Sequence, residues 1–160
     1  MPHLTPGIRT AAPLTAVAVR LGPGEEVKAA LLRTAAAHEL SAAWVLTCVG
    51  SVTQARIRLA AHGSDVSDGS NDFMDLVGPH EIVSAVGTLT GNGEGHVHIS
   101  VADATGRVVG GHLVSATVFT TAEVVIQGTQ RDRSDGFHFS RSLDTRTGFK
   151  ELVVTPQWVE

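Results

Sequence analysis

Residues 95–113 form two alternating segments around a short polar turn, and this pattern constrains the fold more than any other in the chain. In HVHISVA (96–102), His96 and His98 project from one face of a strand, while the aliphatic side chains between them project from the other. The following DATGR (103–107) is typical of a turn. The pattern therefore predicts a β-hairpin with one aliphatic face and one face that carries histidines.

The register of this hairpin brings a third histidine to the same face. If the turn is centred on Thr105, His98 lies opposite His112, and His96 is a diagonal neighbour. The same register pairs aliphatic residues on the other face, so burying them gathers the three imidazoles. A shift of half a residue in the turn centre would lose this arrangement. Opposed Cβ atoms lie roughly 4.5–5.5 Å apart, close enough for imidazoles to share an ion at a Zn–N distance of ~2.0–2.1 Å.

Three histidines with a free fourth position are typical of a catalytic or ligand-exchangeable zinc site, not of a closed structural one. The sequence therefore predicts a metal centre at His96, His98 and His112 that holds zinc or another divalent transition metal. Gly110 and Gly111, beside His112, are expected to permit a bulge or a close approach of the backbone. The competing interpretation is that one or two of these residues are ordinary surface histidines.

The composition is that of an ordinary globular protein, and it argues against some partners. Of the 160 residues, 42% are hydrophobic and 18% are charged, which suits one domain with a sizeable core. Acidic residues outnumber basic ones by 16 to 12, and the formal charge of −4 argues against unaided binding to nucleic acid. The single cysteine, Cys48, has no partner for an internal disulfide, and no apolar run approaches the length of a membrane span. We expect a cytoplasmic protein with no membrane partner.

The remaining patterns predict an α+β fold, a compact single domain in which a mostly antiparallel or mixed sheet carries one principal helix. The helix is expected at 25–40, where alanine and leucine are frequent and Val27, Leu31 and Ala35 recur at four-residue spacing. Strands are predicted at 15–21, 42–50, 54–60, 81–90, 96–102, 114–127 and 148–154.

The ends of the chain and two polar segments are assigned on composition. Residues 1–12 contain two prolines and a glycine and are predicted to be a flexible arm, followed by a single domain over 13–156. The polar segment 128–147 is expected to be an exposed excursion. Residues 62–72 contain several aspartates but lack the EF-hand spacing and its final glutamate, so a solvated loop is preferred to a calcium site.

Two familiar ligand motifs are only partly matched. GNGEG (91–95) opens a strand and not a helix, which argues against a dinucleotide-binding turn. HVH followed by Asp103 and Gly110 is similar to part of a cupin metal motif. Asp103 replaces the expected glutamate, and His112 follows too soon to be the distant ligand of that motif. The cupin stays an alternative.

With their flanks, the histidine-bearing residues resemble the PPC domain, the plant-and-prokaryote-conserved domain that is joined to AT-hooks in plants. The resemblance runs in order through most of the chain from about 15 to 155, and the combination of HVH with a downstream GRVVGGHL is specific. The matching segments are LGPGEEV (21–27), SAAWVLTCVGSVTQARIRL (41–59), GPHEIVSAVGTL (78–89), HVHISVADATGRVVGGHL (96–113) and TTAEVVI (120–126).

The resemblance implies a compact α+β fold, assembly into a homotrimer, and the zinc site of the prokaryotic members, which falls here on His96, His98 and His112. It also associates the chain with DNA. In the plant members an Arg-Gly-Arg-Pro AT-hook makes the DNA contact, and no such segment occurs in this sequence. DNA as a partner therefore rests on association alone, and the net charge argues against it.

Other residues are weaker candidates for a site. Glu81 and Glu123 are candidate catalytic residues, as a general base or as a partner of a ligating histidine, with a purely structural carboxylate as the alternative for each. Arg107 either binds an anionic ligand or is a solvated turn residue, and Cys48 is expected to be an inert core thiol.

Two functions of different class follow from these residues. The first is a non-catalytic metal-binding module that also accepts a small carboxylate or phosphate. The second is a zinc-dependent enzyme that acts on a small substrate. The module is preferred because no base can be recognised beside the histidines.

Overall fold

The computed structural model describes residues 13–60 and 72–156, in which the chain forms one α-helix and seven β-strands. The strands are β1 (Thr15–Leu21), β2 (Leu40–Arg58), β3 (Phe73–Thr90), β4 (Gly95–Ala102), β5 (Val108–Gln130), β6 (Phe137–Asp144) and β7 (Phe149–Pro156), and the helix is α1 (Val27–Ala37). The predicted arm at 1–12, and the predicted loop at 62–72 except for its last residue, lie outside the described residues. No helix in the described part is long and apolar enough to cross a membrane.

Five strands form an antiparallel sheet in the order β1–β5–β2–β3–β4, and this sheet closes on itself. Closure is made by β5, because residues 108–112 pair with β4 while residues from 112 onward pair with β2. Strands β2, β3, β4 and β5 therefore form a ring. Their buried aliphatic side chains join those of α1 in one apolar core. The predicted α+β class, with a mostly antiparallel sheet and one principal helix, is confirmed.

The strands are longer than the sequence patterns indicated. β1 occupies the residues predicted for it, but the strands expected at 42–50 and 54–60 are one strand, β2, with an irregularity between Val52 and Gln54. The strand expected at 114–127 is likewise continuous with the second strand of the histidine hairpin. Bulges allow one long strand to pass from one neighbour to the next while its buried side chains stay in the core.

The helix α1 is shorter than the predicted 25–40, because Glu26 caps its start and the helix ends at Ala37, with His38 as its C-cap. The Glu26 carboxylate accepts hydrogen bonds from the backbone N–H groups of Lys28 (3.1 Å) and Ala29 (2.6 Å), which have no partner inside the helix. It also accepts one from the Ala116 N–H of β5 at 3.0 Å. Glu26 therefore fixes both the start of α1 and its position on the sheet. The residues predicted to face the core, Val27, Leu31 and Ala35, are at most 3% exposed.

The expectation that residues 128–147 form an exposed excursion was wrong over most of its length. Residues 137–144 form β6, which pairs with β7 as a separate two-stranded antiparallel sheet. Phe139 is buried, and the Phe137 ring stacks at 6.2 Å on that of Trp44 in β2. The Arg and Asp content of the flanking residues obscured this short alternation of aromatic and polar side chains.

We predict that Glu26→Ala lowers the free energy of unfolding by about 1–3 kcal/mol, because it removes the helix cap and leaves the Ala116 N–H without its partner. Urea titration followed by circular dichroism measures the change. Glu25→Ala is the matched control. This carboxylate accepts one hydrogen bond in the exposed turn before the helix and makes an exposed ion pair with Arg33, and we expect a loss below about 0.5–1 kcal/mol. Equal losses in both variants would contradict the assigned role of Glu26.

Candidate metal centre

The register predicted for the histidine hairpin is confirmed. His98 pairs with His112, and Val101 pairs with Val109 on the opposite face. In the turn, the Asp103 carboxylate accepts bonds from the Thr105 N–H, the Thr105 hydroxyl and the Arg107 N–H at 2.6–3.1 Å. This local network fixes the turn and, with it, the residues that lie opposite each other.

The two glycines before His112 permit the close approach expected of them. A Cβ atom at Gly110 would lie 2.5 Å from the carbonyl oxygen of Ile99 in β4, and one at Gly111 would lie 2.7 Å from that of Arg58 in β2. Any other residue at either position would push β5 away from a neighbouring strand. His112 is therefore held between β4 and β2 by backbone contacts that only glycine allows.

The three imidazoles converge on the sheet face opposite the core. The Nε2 atoms of His96 and His98 lie 3.0 Å apart, and one ring nitrogen from each of the three histidines falls within 4.8 Å of the others. The ring centroids of His96 and His112 are 4.9 Å apart. Two ligands of a tetrahedral zinc ion, at Zn–N ~2.0–2.1 Å, are separated by about 3.3 Å. Small rotations of the rings therefore bring all three nitrogens to that geometry.

One buried atom supports the fit of a metal ion to these residues. The Nδ1 atom of His112 is buried and has no hydrogen-bond partner among the described residues. A buried polar atom without a partner is costly and uncommon. Coordination of a divalent transition metal by this nitrogen would satisfy it, and neutral imidazole is a ligand that such metals prefer.

The surroundings of His96 and His112 favour the neutral imidazole, which is the form that binds metal. Burial lowers the pKa of His112 from 6.5 to about 4, and the positive charges of Arg58 and Lys28 add to this effect. Burial also lowers the pKa of His96, with a further contribution from Arg141. Neighbouring positive charge disfavours a protonated imidazole. A proton therefore competes weakly for the ring nitrogens of His96 and His112 near neutral pH.

A cavity of about 380 Å³ opens beside His96 and His112. Its other lining residues are Arg58, Gly95, Arg141, Phe149, Lys150 and Glu151. The sequence analysis did not assign any of these to the site. Arg58 lies within the strand predicted at 54–60, but nothing local in the sequence indicates that it lies beside His112. Four of the lining residues come from the β6–β7 hairpin, whose position depends on tertiary packing.

The other candidate residues lie elsewhere. Glu81 pairs with Ala102 on β4, five residues along β3 from the residue opposite His98, a separation of about 17 Å at ~3.3 Å per residue. Glu123 pairs with Arg20 and Val49, eleven residues along β5 from His112. The structure thus gathers the three histidines but neither carboxylate, and the catalytic roles suggested for both stay predictions.

Two further predictions concern single residues. Cys48 is buried, and burial raises the pKa of its thiol to about 11, as expected for an inert core thiol. Arg107 lies in the exposed turn of the histidine hairpin and does not line the cavity.

Sequence comparison places the chain in a family. Residues 8–130 match the Plants and Prokaryotes Conserved (PCC) domain, and the chain belongs to that family. The resemblance to the PPC domain is therefore confirmed. A curated relative, the bifunctional protein GlmU of Synechococcus sp. (strain JA-2-3B'a(2-13)), is 39% identical over 139 residues, which are 86% of this chain and 20% of GlmU. The chain spans about a fifth of the length of the curated relatives it matches.

Solved structures share the whole fold. A hypothetical protein from Salmonella enterica is 32% identical, with a TM-score of 0.78 over 92% of this chain and 97% of its own. A metal-containing protein from Archaeoglobus fulgidus is 24% identical, with a TM-score of 0.72 over 95% of this chain and 97% of its own. A protein from Bacteroides thetaiotaomicron, described provisionally as DNA-binding, is 17% identical, with a TM-score of 0.71 over 86% of this chain and 91% of its own. The last two likenesses show the fold alone.

We predict that the metal-free protein loses stability as the pH falls from about 6.5 to about 4. The pKa of His112 is near 6.5 in the unfolded chain and about 4 in the folded one, so protons bind the unfolded chain preferentially across that interval. His112→Gln should reduce the fall in melting temperature across it, measured in the presence of EDTA. His38→Gln, which replaces an exposed histidine, should leave the fall unchanged. An identical pH dependence in wild type and His112→Gln would refute the prediction.

Proposed function

We propose that the chain is a homo-oligomeric metal-binding module that holds zinc, or another divalent transition metal, through His96, His98 and His112. The observation that carries the proposal is the convergence of three ring nitrogens within 4.8 Å, one histidine of the cluster having a buried, unpartnered Nδ1 atom. The metal-containing relative of similar fold is consistent with this assignment. Three neutral imidazoles leave the charge of the ion uncompensated and a coordination position free for a further ligand.

A zinc-dependent enzyme is the second candidate, and one observation favours it. Glu151 lines the same cavity as His96 and His112, so a carboxylate is present near the proposed ion. When bound, zinc would lower the pKa of a water ligand or polarise a substrate oxygen. Glu151 would then accept or donate a proton at its carboxylate oxygens. The module is preferred because this carboxylate lies at an exposed hairpin and has no hydrogen bond to a histidine among the described residues.

We predict that protein purified without a histidine tag and dialysed against zinc retains close to one ion per chain, measured by inductively coupled plasma mass spectrometry. Replacing His96, His98 and His112 by alanine should abolish retention, because the three ring nitrogens are the proposed ligands. His38→Ala is the control for loss of an exposed histidine. Retention of zinc by the triple variant, or an absence of zinc from the wild type at neutral pH, would refute the metal assignment.

An exposed apolar patch supports self-association. Leu46, Val49, Val83 and Val86 are 54–55% exposed on β2 and β3. The register between Val45–Gly87 and Gly50–Ile82 places Leu46 opposite Val86 and Val49 opposite Val83, so the four side chains adjoin. Contiguous exposed apolar surface is typical of protein interfaces. We propose that a second copy of the chain covers this patch, and that the assembly is the homotrimer implied by the family resemblance.

Light scattering coupled to size exclusion tests the assembly. The wild type should elute with a mass of about 50 kDa, three times the 16.7 kDa of one chain. Val83→Lys should shift the mass toward the monomer at micromolar concentration, because it places a charge in the centre of a dry interface. Leu143→Lys replaces an exposed leucine of β6 and should leave the mass unchanged. A monomeric wild type would refute the trimer.

We propose that the protein has no DNA partner and that it is cytoplasmic. The net charge of −4 disfavours a surface that must neutralise phosphates, and the sequence has no Arg-Gly-Arg-Pro AT-hook. The single buried cysteine is compatible with a reducing compartment.

A further inference from the structure

The cavity beside the histidines is unusually basic for a chain of net negative charge. Among its lining residues, Arg58, Arg141 and Lys150 carry positive charge, and Glu151 is the one carboxylate. Lys150 is already paired with Glu94, its Nζ lying 3.0 Å from the carboxylate oxygen. The positive charges of the cavity lining that remain without an ion pair are therefore those of Arg58 and Arg141.

Neither arginine has an acidic partner in the described part of the chain. Five other basic side chains there make ion pairs, whereas Arg58 and Arg141 make none with a described carboxylate. Both side chains also lie near other positive groups, since both contribute to lowering the pKa of Lys28 and of His96. The nearby carboxylates, Glu94 beside Arg141 and Glu151 beside His96, make no ion pair with either arginine among the described residues. Gathering like charges without a paired counter-ion is unfavourable. An anionic ligand would remove that cost.

Arg141 is positioned as an anion-binding group. Its Nη2 atom donates a hydrogen bond to the Thr88 hydroxyl at 2.8 Å, and Thr88 is the residue of β3 that pairs with His96. This bond holds the guanidinium against the strand beside the histidines. The Nε atom of Arg141 is buried and has no partner among the described residues. A guanidinium with a free N–H edge binds carboxylate or phosphate oxygens in a fork geometry.

We propose that this cavity binds a small organic anion, whose carboxylate or phosphate group occupies the free coordination position of the metal and is held by Arg141 and Arg58. This inference rests on the proposed metal centre for the first contact and on the chain's own arginines for the second. The size of the cavity, about 380 Å³, falls in the range of small-molecule sites. Phe149, which is 48% exposed at the cavity, offers an apolar surface for the organic part of the ligand.

The hairpin that supplies Arg141 and Phe149 lies beyond the part of the chain that matches the family model. That match ends at residue 130, and β6 begins at Phe137. The histidines therefore belong to the family-matched portion, while half of the cavity lining comes from the following hairpin. We infer that β6 and β7 determine which anion this protein accepts.

Isothermal titration calorimetry of the zinc-loaded protein with phenyl phosphate and with benzoate tests the proposal and separates the two anionic groups. At least one probe should bind with a dissociation constant below about 1 mM. Arg141→Gln should weaken that binding about 10-fold or more, because a charge-assisted bidentate contact is lost. Arg141→Lys keeps the charge but loses the planar fork of donors, so its affinity for the probe should lie between those of the wild type and Arg141→Gln. Each variant should retain as much zinc as the wild type.

Arg146→Gln is the matched control, since Arg146 lies in the turn of the same hairpin and pairs with Asp144 outside the cavity. It should leave binding of both probes unchanged. Failure of both probes to bind zinc-loaded protein, or equal affinities in wild type and Arg141→Gln, would overturn the proposal while leaving the metal centre intact.

The zinc-free protein distinguishes failure of the anion site from failure of the metal centre. The arginines do not need the metal, so probe binding should persist in EDTA with lower affinity and should again be weakened by Arg141→Gln. If the wild type holds no zinc, the titration of zinc-free protein still tests the anion site. Probe binding that depends on Arg141 would support the anion site, and the absence of such binding would refute it.

Discussion

The pairing of β4 with β5 is the interaction on which the rest of the structure depends. It closes the ring of four strands, and so completes the enclosure of the apolar core. It also sets His98 against His112 and brings His96 beside them. Because side chains alternate between the faces of a strand, a slip of one residue would turn the histidines into the core and the aliphatic residues out. The same strand pairing is therefore required for the stability of the fold and for the assembly of the three-histidine cluster.

This coupling explains how a polar cluster is maintained on a strand with a buried aliphatic face. The core side chains Val97, Ile99 and Leu113 are at most 2% exposed, and they fix the strand positions without any contribution from a metal. Gly110 and Gly111 let the strands approach closely where His112 needs to lie. The three histidines are thus preorganised by the apolar core, so the proposed binding of a metal would not have to order this part of the chain.

The charged side chains around the histidines are mostly positive, and this has two consequences. Burial and nearby arginines favour the neutral form of His96 and His112, and neutral ligands would leave the charge of a bound ion in place. Arg58 and Arg141 add positive charge at the cavity and make no ion pair within the described part of the protein. The same positive charges that disfavour protonation of His96 and His112 would therefore attract an anion. The proposed metal centre and the proposed anion site would thus be linked through this shared field.

The sequence determined the local structure and the ligand set. The alternation in 96–102, the turn at 103–107 and the apolar spacing of Val27 and Leu31 were sufficient for the register, the three histidines and the helix, because each depends on residues near one another in the chain. Only the tertiary structure decided the union of predicted strands into β2 and β5, the docking of β6 on β2 through Phe137 and Trp44, and the meeting of Arg58 and Arg141 beside His112. Those contacts join residues far apart in sequence. The local pattern of polar and apolar residues in a strand does not predict which distant part of the chain that strand will pack against.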